Sequence, residues 1–407
     1  MVQQKSLSSR SMTGIILILA PLIFSFAMAL DIYVPSIPAI REYFGVSQSV
    51  MQLTVSLFLL ITGLGQLIIG PLSDQVGRRK IVLISVFLLL LGSLICAFSF
   101  DMSFLILGRI IEAFGACGML VGSFAIVRDV FSEEQCAHVY SFLNSTVSLS
   151  PLLAPLVGGY LAYFFNWRAT FVFLALVATI IFLMAHKNIN ETLDPKNKRN
   201  LRKEFFMDYL KLFKNSAFCA YTFCSSSGLA CFLTFFSSSS YIIINLLKIP
   251  EQHFGFYFAT IGISFFLSSL FCGYITKFLG VYKTVLIGGF LIFFSGLSMF
   301  FWYHSFGLSV SGFMWPMMIM SLGGAFVMGA GAGGAIAPFP EMAGTASALF
   351  GCMQFVFAFL ISQIVLYWKV QSTLPLSYTL MALGVFSVGV MLLGYKKLKH
   401  VQSPPTA

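Results

Sequence analysis

Apolar residues gather along the chain into twelve blocks, near residues 13–34, 49–70, 80–99, 103–127, 137–163, 167–186, 216–243, 255–276, 284–303, 309–334, 342–366 and 374–395. As a helix, each block is long enough to cross a hydrocarbon core of about 30 Å. A β-barrel would instead alternate apolar and polar residues in segments of about ten, and these blocks do not. Backbone groups in lipid must be hydrogen-bonded within the protein, so the blocks are read as α-helices. The expected fold class is all-α integral membrane, with twelve transmembrane helices.

One polar stretch is much longer than the rest. HKNINETLDPKNKRNLRKEF (186–205) separates the sixth block from the seventh and divides the chain into two groups of six. The expected organisation is an N-terminal six-helix bundle over 1–190, a cytoplasmic linker over 191–215 and a C-terminal six-helix bundle over 216–407. The two groups also repeat one another. GPLSDQVGRRK (70–80) follows the second block and GYITKFLGVYK (273–283) follows the eighth; at an offset of 203 residues Gly70 meets Gly273, Gly77 meets Gly280 and Lys80 meets Lys283, while Asp74 meets Lys277. Two pseudo-symmetric bundles suggest a carrier whose substrate site lies between the halves near the bilayer midplane, working by the rocking of one half against the other.

Loop 70–80 has a physical logic of its own. Gly70 and Pro71 end the second span, and Gly77 permits a tight turn. Asp74 is placed to accept hydrogen bonds from backbone amides or to face a helix N-terminus, while Arg78, Arg79 and Lys80 hold the inner interface. A plain basic loop would account for the cations but not for the G-x3-D-x2-G frame.

Composition agrees with this picture. Of 407 residues, 58% are hydrophobic and 9% charged, against roughly 25% charged in a soluble domain. Placing the N-terminus inside puts nineteen basic residues in the inner loops and tails, against four (Arg41, Arg168, Lys248 and Lys369) outside. Both termini are thus expected to be cytoplasmic. The net charge of +10 is an orientation signal aided by anionic lipid, not a nucleic-acid footprint. The N-terminal run has basic residues Lys5 and Arg10 and an Ala27-Met28-Ala29 that mimics a cleavage site, but it is longer than a signal h-region and eleven spans follow, so it is read as an uncleaved first span. Eight cysteines fall in spans or on the inner side, with no C-x-x-C pair, and are read as small packing residues.

The chemistry concentrates in very few side chains. Of fourteen acidic residues, only Asp31 and Glu112 lie inside predicted spans, and Arg109 is the one embedded base; Glu341 sits in the inner loop between the tenth and eleventh spans. A charge at a helix centre costs about 2.5–3.5 kcal/mol on insertion scales, so retained charges mark function by default. In LGRIIEAFGACG (107–118), Arg109 and Glu112 are i,i+3 neighbours on one face. Two readings stand: an internal ion pair that lets the span insert, or an arginine facing the central cavity that biases the protonation of nearby carboxylates. Asp31, in AMALDIYVPSIPAI (27–40), also has two readings. It carries a proton, a cationic substrate, or each in turn; or it lies hydrated at the outer interface or caps the turn before Pro35.

GPLSDQVGRRK is very similar to the signature loop of the major facilitator superfamily, with Gln75 where that family usually has a basic residue. LDIYVPSIPAI (30–40), GQLIIGPLSD (65–74), AIVRDVFSEEQ (125–135) and APFPEMAGTASALFGCMQF (337–355) narrow the resemblance to the Bcr/CflA-type drug:proton antiporters. Arg109 matches the arginine of their R-x-x-Q pattern, which the resemblance implies is important for proton coupling; Glu112 replaces the glutamine. We therefore expect Asp31 and Glu112 to share the proton-binding task, with coupled titration. In SLSPLLAPLVGGYL (148–161), Pro155, Gly158 and Gly159 match the G-P-x-x-G-G core of the superfamily's antiporter motif, and Ala154 replaces its first glycine. Kinked close packing there would seal the halves against proton leak; ordinary small-residue helix packing is the alternative.

Forty-six Phe and eighteen Met suit an adaptable apolar cavity but must mostly face lipid. Tyr33 and Tyr241 are candidate substrate contacts, and the five scattered histidines are assigned no role. No H-E-x-x-H, G-x-S-x-G or P-loop pattern occurs, so an enzyme is not expected, and a filter-like loop for a channel is also missing. The expected activity is proton-coupled efflux of small lipophilic or amphipathic compounds across the inner membrane. The alternative is a proton-coupled uptake symporter or a dedicated metabolite or siderophore exporter. Partners are then protons, a small-molecule substrate and the lipid membrane, with no nucleic acid, metal or cofactor, and a monomeric chain driven by the proton motive force.

Overall fold

The structure is a computed structural model that describes residues 12–131, 135, 139, 142–143, 146–147, 149–193, 203–339, 342–366 and 372–398. Residues 194–202 of the linker, both tails, Glu341 and His138 lie outside the described residues. The described chain is helical throughout, without a strand. The helices are α1 (Met12–Asp31), α2 (Ile37–Phe44), α3 (Gln48–Val76), α4 (Arg78–Ala97), α5 (Met102–Val130), α6 (Ser150–Phe164), α7 (Arg168–Asn188), α8 (Lys203–Lys214), α9 (Ser216–Ser240), α10 (Glu251–Phe306), α11 (Val310–Ile336), α12 (Ala343–Leu366) and α13 (Leu374–Leu398).

Among the described residues ten helical segments are long and apolar enough to cross a membrane. One of them, α10, is a 56-residue helix that breaks at Gly280 and so holds the eighth and ninth predicted spans. The shorter apolar helix α6 is the described part of the fifth span. The all-α membrane fold expected from the hydrophobic pattern is the fold observed.

The first span is longer than its apolar block. It runs from Met12 to Phe44 over 33 residues, with a 3-10 turn at Val34–Ser36 between α1 and α2. Pro35 and Pro38 explain the interruption: each lacks an amide proton and disfavours helical backbone in the residue before it. Gly45, at φ 63°, then ends α2. Four helix starts elsewhere, those of α3, α5, α9 and α11, have side-chain caps. Asp101 accepts from the amides of Ser103 and Phe104 at 2.8 and 3.0 Å, and Asn215 from those of Ala217 and Phe218 at 3.0 and 2.9 Å.

Two compact units emerge: Met1–Arg202 with Glu251–Ala259, and Lys203–Pro250 with Thr260–Ala407. In the first, α4 and α5 pack backbone to backbone. A Cβ on Gly92 would lie 2.6 Å from the Glu112 amide nitrogen and 2.7 Å from the Gly108 carbonyl oxygen. In the second, α9 packs against α11, α12 and α13. Its buried serines return their hydroxyls to their own helix, as with Ser226 to Thr222 O at 2.7 Å and Ser227 to Phe223 O at 3.0 Å. A large apolar surface on the outside and small residues inside suit association in lipid, where close backbone packing replaces the hydrophobic effect.

The sequence repeat is also a structural repeat. Gly77 and Gly280 both leave the helical region, at φ 108°, ψ 148° and φ 78°, ψ 163°. Gly70 and Gly273 both face space that a Cβ could fill without contact. Two residues beyond each hinge, Arg79 donates to Ile189 O just past α7 at 2.8 Å, and Tyr282 donates to Met391 O of α13 at 3.3 Å. The sixth and twelfth spans are thus held from equivalent positions by different chemistry.

Only glycine adopts the hinge conformation freely. Gly77→Ala and Gly280→Ala are each expected to destabilise the purified protein by about 1–3 kcal/mol in denaturant unfolding, with Gly70→Ala and Gly273→Ala close to native. Equal stability of all four variants would contradict the hinge assignment.

Candidate functional site

Arg109 is the largest fully buried side chain of the first unit, at 0% exposure. One face of its guanidinium lies over the Tyr33 ring, 4.2 Å from the centroid, and it also lies 4.4 Å from that of Phe58. Its Nη1 donates to Glu112 Oε2 at 2.6 Å and to Ala29 O at 2.8 Å. Ring stacking is one of the few favourable settings for a desolvated guanidinium. The side chain is therefore enclosed, not open to a cavity as one of the two sequence readings had it.

Glu112 is equally enclosed, at 0% exposure, and both its oxygens are occupied. Oε2 takes the arginine, and Oε1 lies 2.7 Å from Ser93 Oγ, whose single proton is shared with Leu89 O at 2.8 Å. The glycine contact at Gly92 brings α4 close enough for Ser93, one residue on, to reach it. Tyr33 is buried too; its hydroxyl donates to Thr54 Oγ1 at 2.9 Å, because Thr54 already spends its own proton on Met51 O at 2.6 Å. The tyrosine is thus a wall of the arginine site.

Asp31 is the last residue of α1, at the break in the first span. It is 2% exposed, so the reading of a hydrated acid at the outer interface does not hold. Nor does it cap the turn before Pro35: the cap position of that 3-10 turn is Tyr33, without a side-chain cap bond. Its Oδ2 accepts from Ser150 Oγ at 2.6 Å, and its Oδ1 has no hydrogen-bond partner. Asp31 and Glu112 therefore have separate partners, on α6 and on α4 and α5, and the closest bonded link between them is Arg109 through Ala29 O.

On α6, Ala154, Pro155, Gly158 and Gly159 are all buried. A Cβ on Gly158 would overlap the carbonyl oxygen of Ile32, which pins this helix against the same break. On its other side, a Cβ on Gly255 would lie 2.8 Å from Leu156 Cα and 3.1 Å from Pro155 O. Tyr241 belongs to the second unit, where it opens a π-helical segment, Tyr241–Leu246.

A second cluster closes the Gly77 end of the first unit. Helix α3 runs on to Val76, so Asp74 lies in its last turn, and no backbone amide donates to it among the described residues. Instead it pairs with Arg78 at 2.5 Å and Arg128 at 3.7 Å. Arg78 also binds Asp129 at 2.9 Å and Ser73 Oγ at 2.8 Å, and is 3% exposed. The acid that meets the backbone amides is Glu191, whose Oε1 accepts from Arg78, Thr192 and Leu193 at 2.8, 3.2 and 3.1 Å. A Cβ on Gly77 would overlap that carboxylate. Arg79 bonds to the carbonyls of His186 and Ile189, and Lys80 is exposed.

Sequence reasoning singled out every charge of the buried pair but missed Ser93, Ser150, Phe58, Asp129 and Glu191. Ser150 and Asp129 were inside recognised motifs, and Glu191 is an acid among lysines just after the sixth span.

A sequence profile of the Major Facilitator Superfamily matches residues 19–362. The chain belongs to that superfamily. Its sequence is 30% identical over 398 residues to a bicyclomycin resistance protein homolog of Haemophilus influenzae, covering 95% of this chain and 96% of that one. It is 29% identical over 346 residues to a chloramphenicol resistance protein of Pseudomonas aeruginosa, covering 84% and 81%. Within the superfamily this places it with the Bcr/CflA-type branch. The fold is also that of a peptide transporter crystallised with sulfate, at a TM-score of 0.78 and 11% identity over 98% of this chain and 99% of that one. As a superfamily transporter the protein is a multi-pass membrane protein, and the superfamily fold accounts for the paired bundles and repeated hinge.

Removing one partner of a buried pair leaves an uncompensated charge. Glu112→Leu is expected to cost about 3–5 kcal/mol in unfolding, and Arg109→Leu/Glu112→Leu together to recover most of it. A double variant as unstable as the single one would deny that the pair is mutually neutralising. Glu191→Ala removes the N-terminal cap of α4 and is expected to cost about 1 kcal/mol, with faster hydrogen exchange at the Arg78 amide. The exposed Lys211–Asp208 pair, at 3.0 Å, serves as control: Asp208→Ala should leave exchange at Arg78 untouched.

Proposed function

We propose that this protein is a proton-driven efflux carrier of the bacterial inner membrane. It exchanges inward-moving protons for small lipophilic or amphipathic compounds, drugs among them, by alternating access. The observation that carries this reading is Asp31: a buried acid at the break of a transmembrane span, with one oxygen held and the other without a partner. Discontinuous spans are where superfamily-like carriers place coupling ions, and the curated relatives include proteins named for resistance to bicyclomycin and chloramphenicol.

In this scheme Asp31 is the residue that gains and loses the proton. Arg109 and Glu112 form its fixed electrostatic surroundings: the Glu112 carboxylate is held at both oxygens, by a cation and a hydroxyl, which favours its ionised form. Tyr33 holds the arginine in place. Pro155, Gly158 and Gly159 keep α6 against the first span and so seal the path. Gly70, Asp74, Gly77, Arg78 and Arg79 form the cytoplasmic hinge of the first bundle, with both termini on that side, as the nineteen-to-four distribution of basic residues supports. Tyr241, beside a π-helical segment of the kind often found at functional sites, is the candidate ligand contact in the second bundle. The carrier works as a monomer in lipid and needs no cofactor beyond the proton gradient.

The test is substrate-driven proton movement in liposomes holding the purified protein, with chloramphenicol and tetraphenylphosphonium as probes. Native protein should release protons from the site on probe addition and accumulate probe under an imposed gradient. Asp31→Asn should bind probe but lose coupled proton movement, while Glu112→Gln should keep a substantial part of it. Uptake of probe together with protons would identify a symporter instead, and full coupling in Asp31→Asn would remove this acid from the mechanism.

A further inference from the structure

Two contacts join the break in the first span to α6. Ser150 Oγ donates to Asp31 Oδ2 at 2.6 Å, and Gly158 lies so close to the Ile32 carbonyl that a side chain would overlap it. Ser150 is the first residue of α6 and is fully buried, as Asp31 nearly is. A hydrogen bond to a carboxylate in such a place has no solvent competing for either partner.

At the start of α6, Pro151 supplies no amide proton but lies in the first turn, where helix geometry calls for none, and the amides of Leu152 and Leu153 both turn to Leu149 O, at 3.2 and 3.0 Å. Pro155, inside the helix, removes one interior bond. The Ser150 hydroxyl is the side-chain bond that ties this end of the helix to the break in the first span. Further along, α6 meets Gly255 at Pro155 and Leu156. One helix therefore has the acid near its first residue and the Glu251–Ala259 segment on its flank.

Ser150 is the one side chain bonded to Asp31 among the described residues. From α5, Nη1 of Arg109 donates to Glu112 Oε2 and to Ala29 O, while its Nε and Nη2 are buried without a hydrogen-bond partner. Tyr33, two residues on, is bonded to Thr54; Cys96 of α4 bonds to Leu105 O at 3.6 Å. Neither α6 nor α7 brings an ion pair to the acid among the described residues.

We infer that Ser150 is the positioning residue for proton coupling: its hydroxyl holds the ionised Asp31 carboxylate and transmits the protonation of that acid to α6. This rests on the reading of Asp31 as the proton carrier. A proton arriving at Oδ1, the oxygen without a partner, turns the carboxylate into a neutral carboxyl. The Ser150 bond then drops from a charge-assisted to a neutral one, roughly halving in strength, and the tie between the first span and the start of α6 weakens with it. The one covalent change is the new O–H at Oδ1, formed with the incoming proton, and the serine keeps its own proton.

The test compares native protein with Ser150→Ala, Ser150→Thr and Asp31→Asn in liposomes, again with chloramphenicol and tetraphenylphosphonium, alongside infrared difference spectra of the carboxyl region recorded on pH change without any substrate. Ser150→Ala is expected to bind the probes as native protein does while probe-driven proton movement falls about tenfold, the weight of one hydrogen bond to an ionised group. Ser150→Thr, which keeps the hydroxyl, should restore most of it. In the spectra, the band that Asp31→Asn abolishes should move to higher frequency in Ser150→Ala, as expected for a carboxyl freed from its donor. Native coupling in Ser150→Ala overturns the inference, and so does an Asp31 band that this substitution leaves in place. Full coupling in Asp31→Asn overturns the reading of Asp31 itself, and because the spectra need no transport, the two failures can be told apart.

Discussion

A guanidinium buried in a lipid-embedded bundle has to be neutralised, and most of the first unit is arranged around that need. Arg109 could not remain charged at 0% exposure without a counter-charge, acceptors and polarisable surfaces on its remaining faces. Glu112 supplies the first, Ala29 O an acceptor, and Tyr33 and Phe58 the surfaces. Each supplier imposes its own condition. Glu112 needs Ser93, which needs α4 at glycine distance from α5; Tyr33 needs Thr54 on α3; and the Ala29 carbonyl draws in the end of α1 just before the break that carries Asp31. A single charge thereby fixes four helices relative to one another.

The two units are built on one plan but use different chemistry. Both hinges have a glycine in the same non-helical region, and both fasten the last span of their unit from two residues beyond it. In the first unit the residues are charged: Asp74, Arg78, Arg128 and Asp129 form a connected set, and Arg79 beside them fastens the sixth span. In the second, Lys277 stands where Asp74 does, and a tyrosine replaces the arginine. The two units share the backbone geometry of the hinge, while among the described residues the ionic network belongs to one of them, the one that also contains the buried acid.

The fold was largely legible in the sequence because hydrophobic block length and the hinge repeat are local signals, set by bilayer thickness and by the special freedom of glycine. The Arg109–Glu112 pair was legible for the same reason, since i,i+3 spacing alone brings the two together. What the sequence did not show was the partners from distant parts of the chain. Ser150 lies 119 residues from Asp31 and Glu191 113 from Arg78, and no periodicity links such positions. Asp74 was expected to accept from backbone amides; the second span's helix continues past Gly70 and Pro71, and the acid in its last turn pairs with arginines instead. One of the two readings of Asp31 set it hydrated at an interface because the apolar block was ended at residue 34, whereas the span runs on to Phe44.

The connection between α3 and α4 is one residue long. A hairpin joined that way has a single joint with two soft torsions, those of Gly77, and no slack to absorb a change of angle elsewhere. In the first unit the joint is clasped: the Glu191 carboxylate sits where a Cβ would be and holds the amide just beyond it. Mechanically, α3 and α4 then form a stiff lever whose far arms cannot swing independently of each other. Gly280 gives the second unit a joint of the same design, but with lysine and valine in place of the Asp74 and Arg78 that brace the first. Bending compliance is thus distributed unequally along the chain, with the braced lever in the half that holds the buried acid.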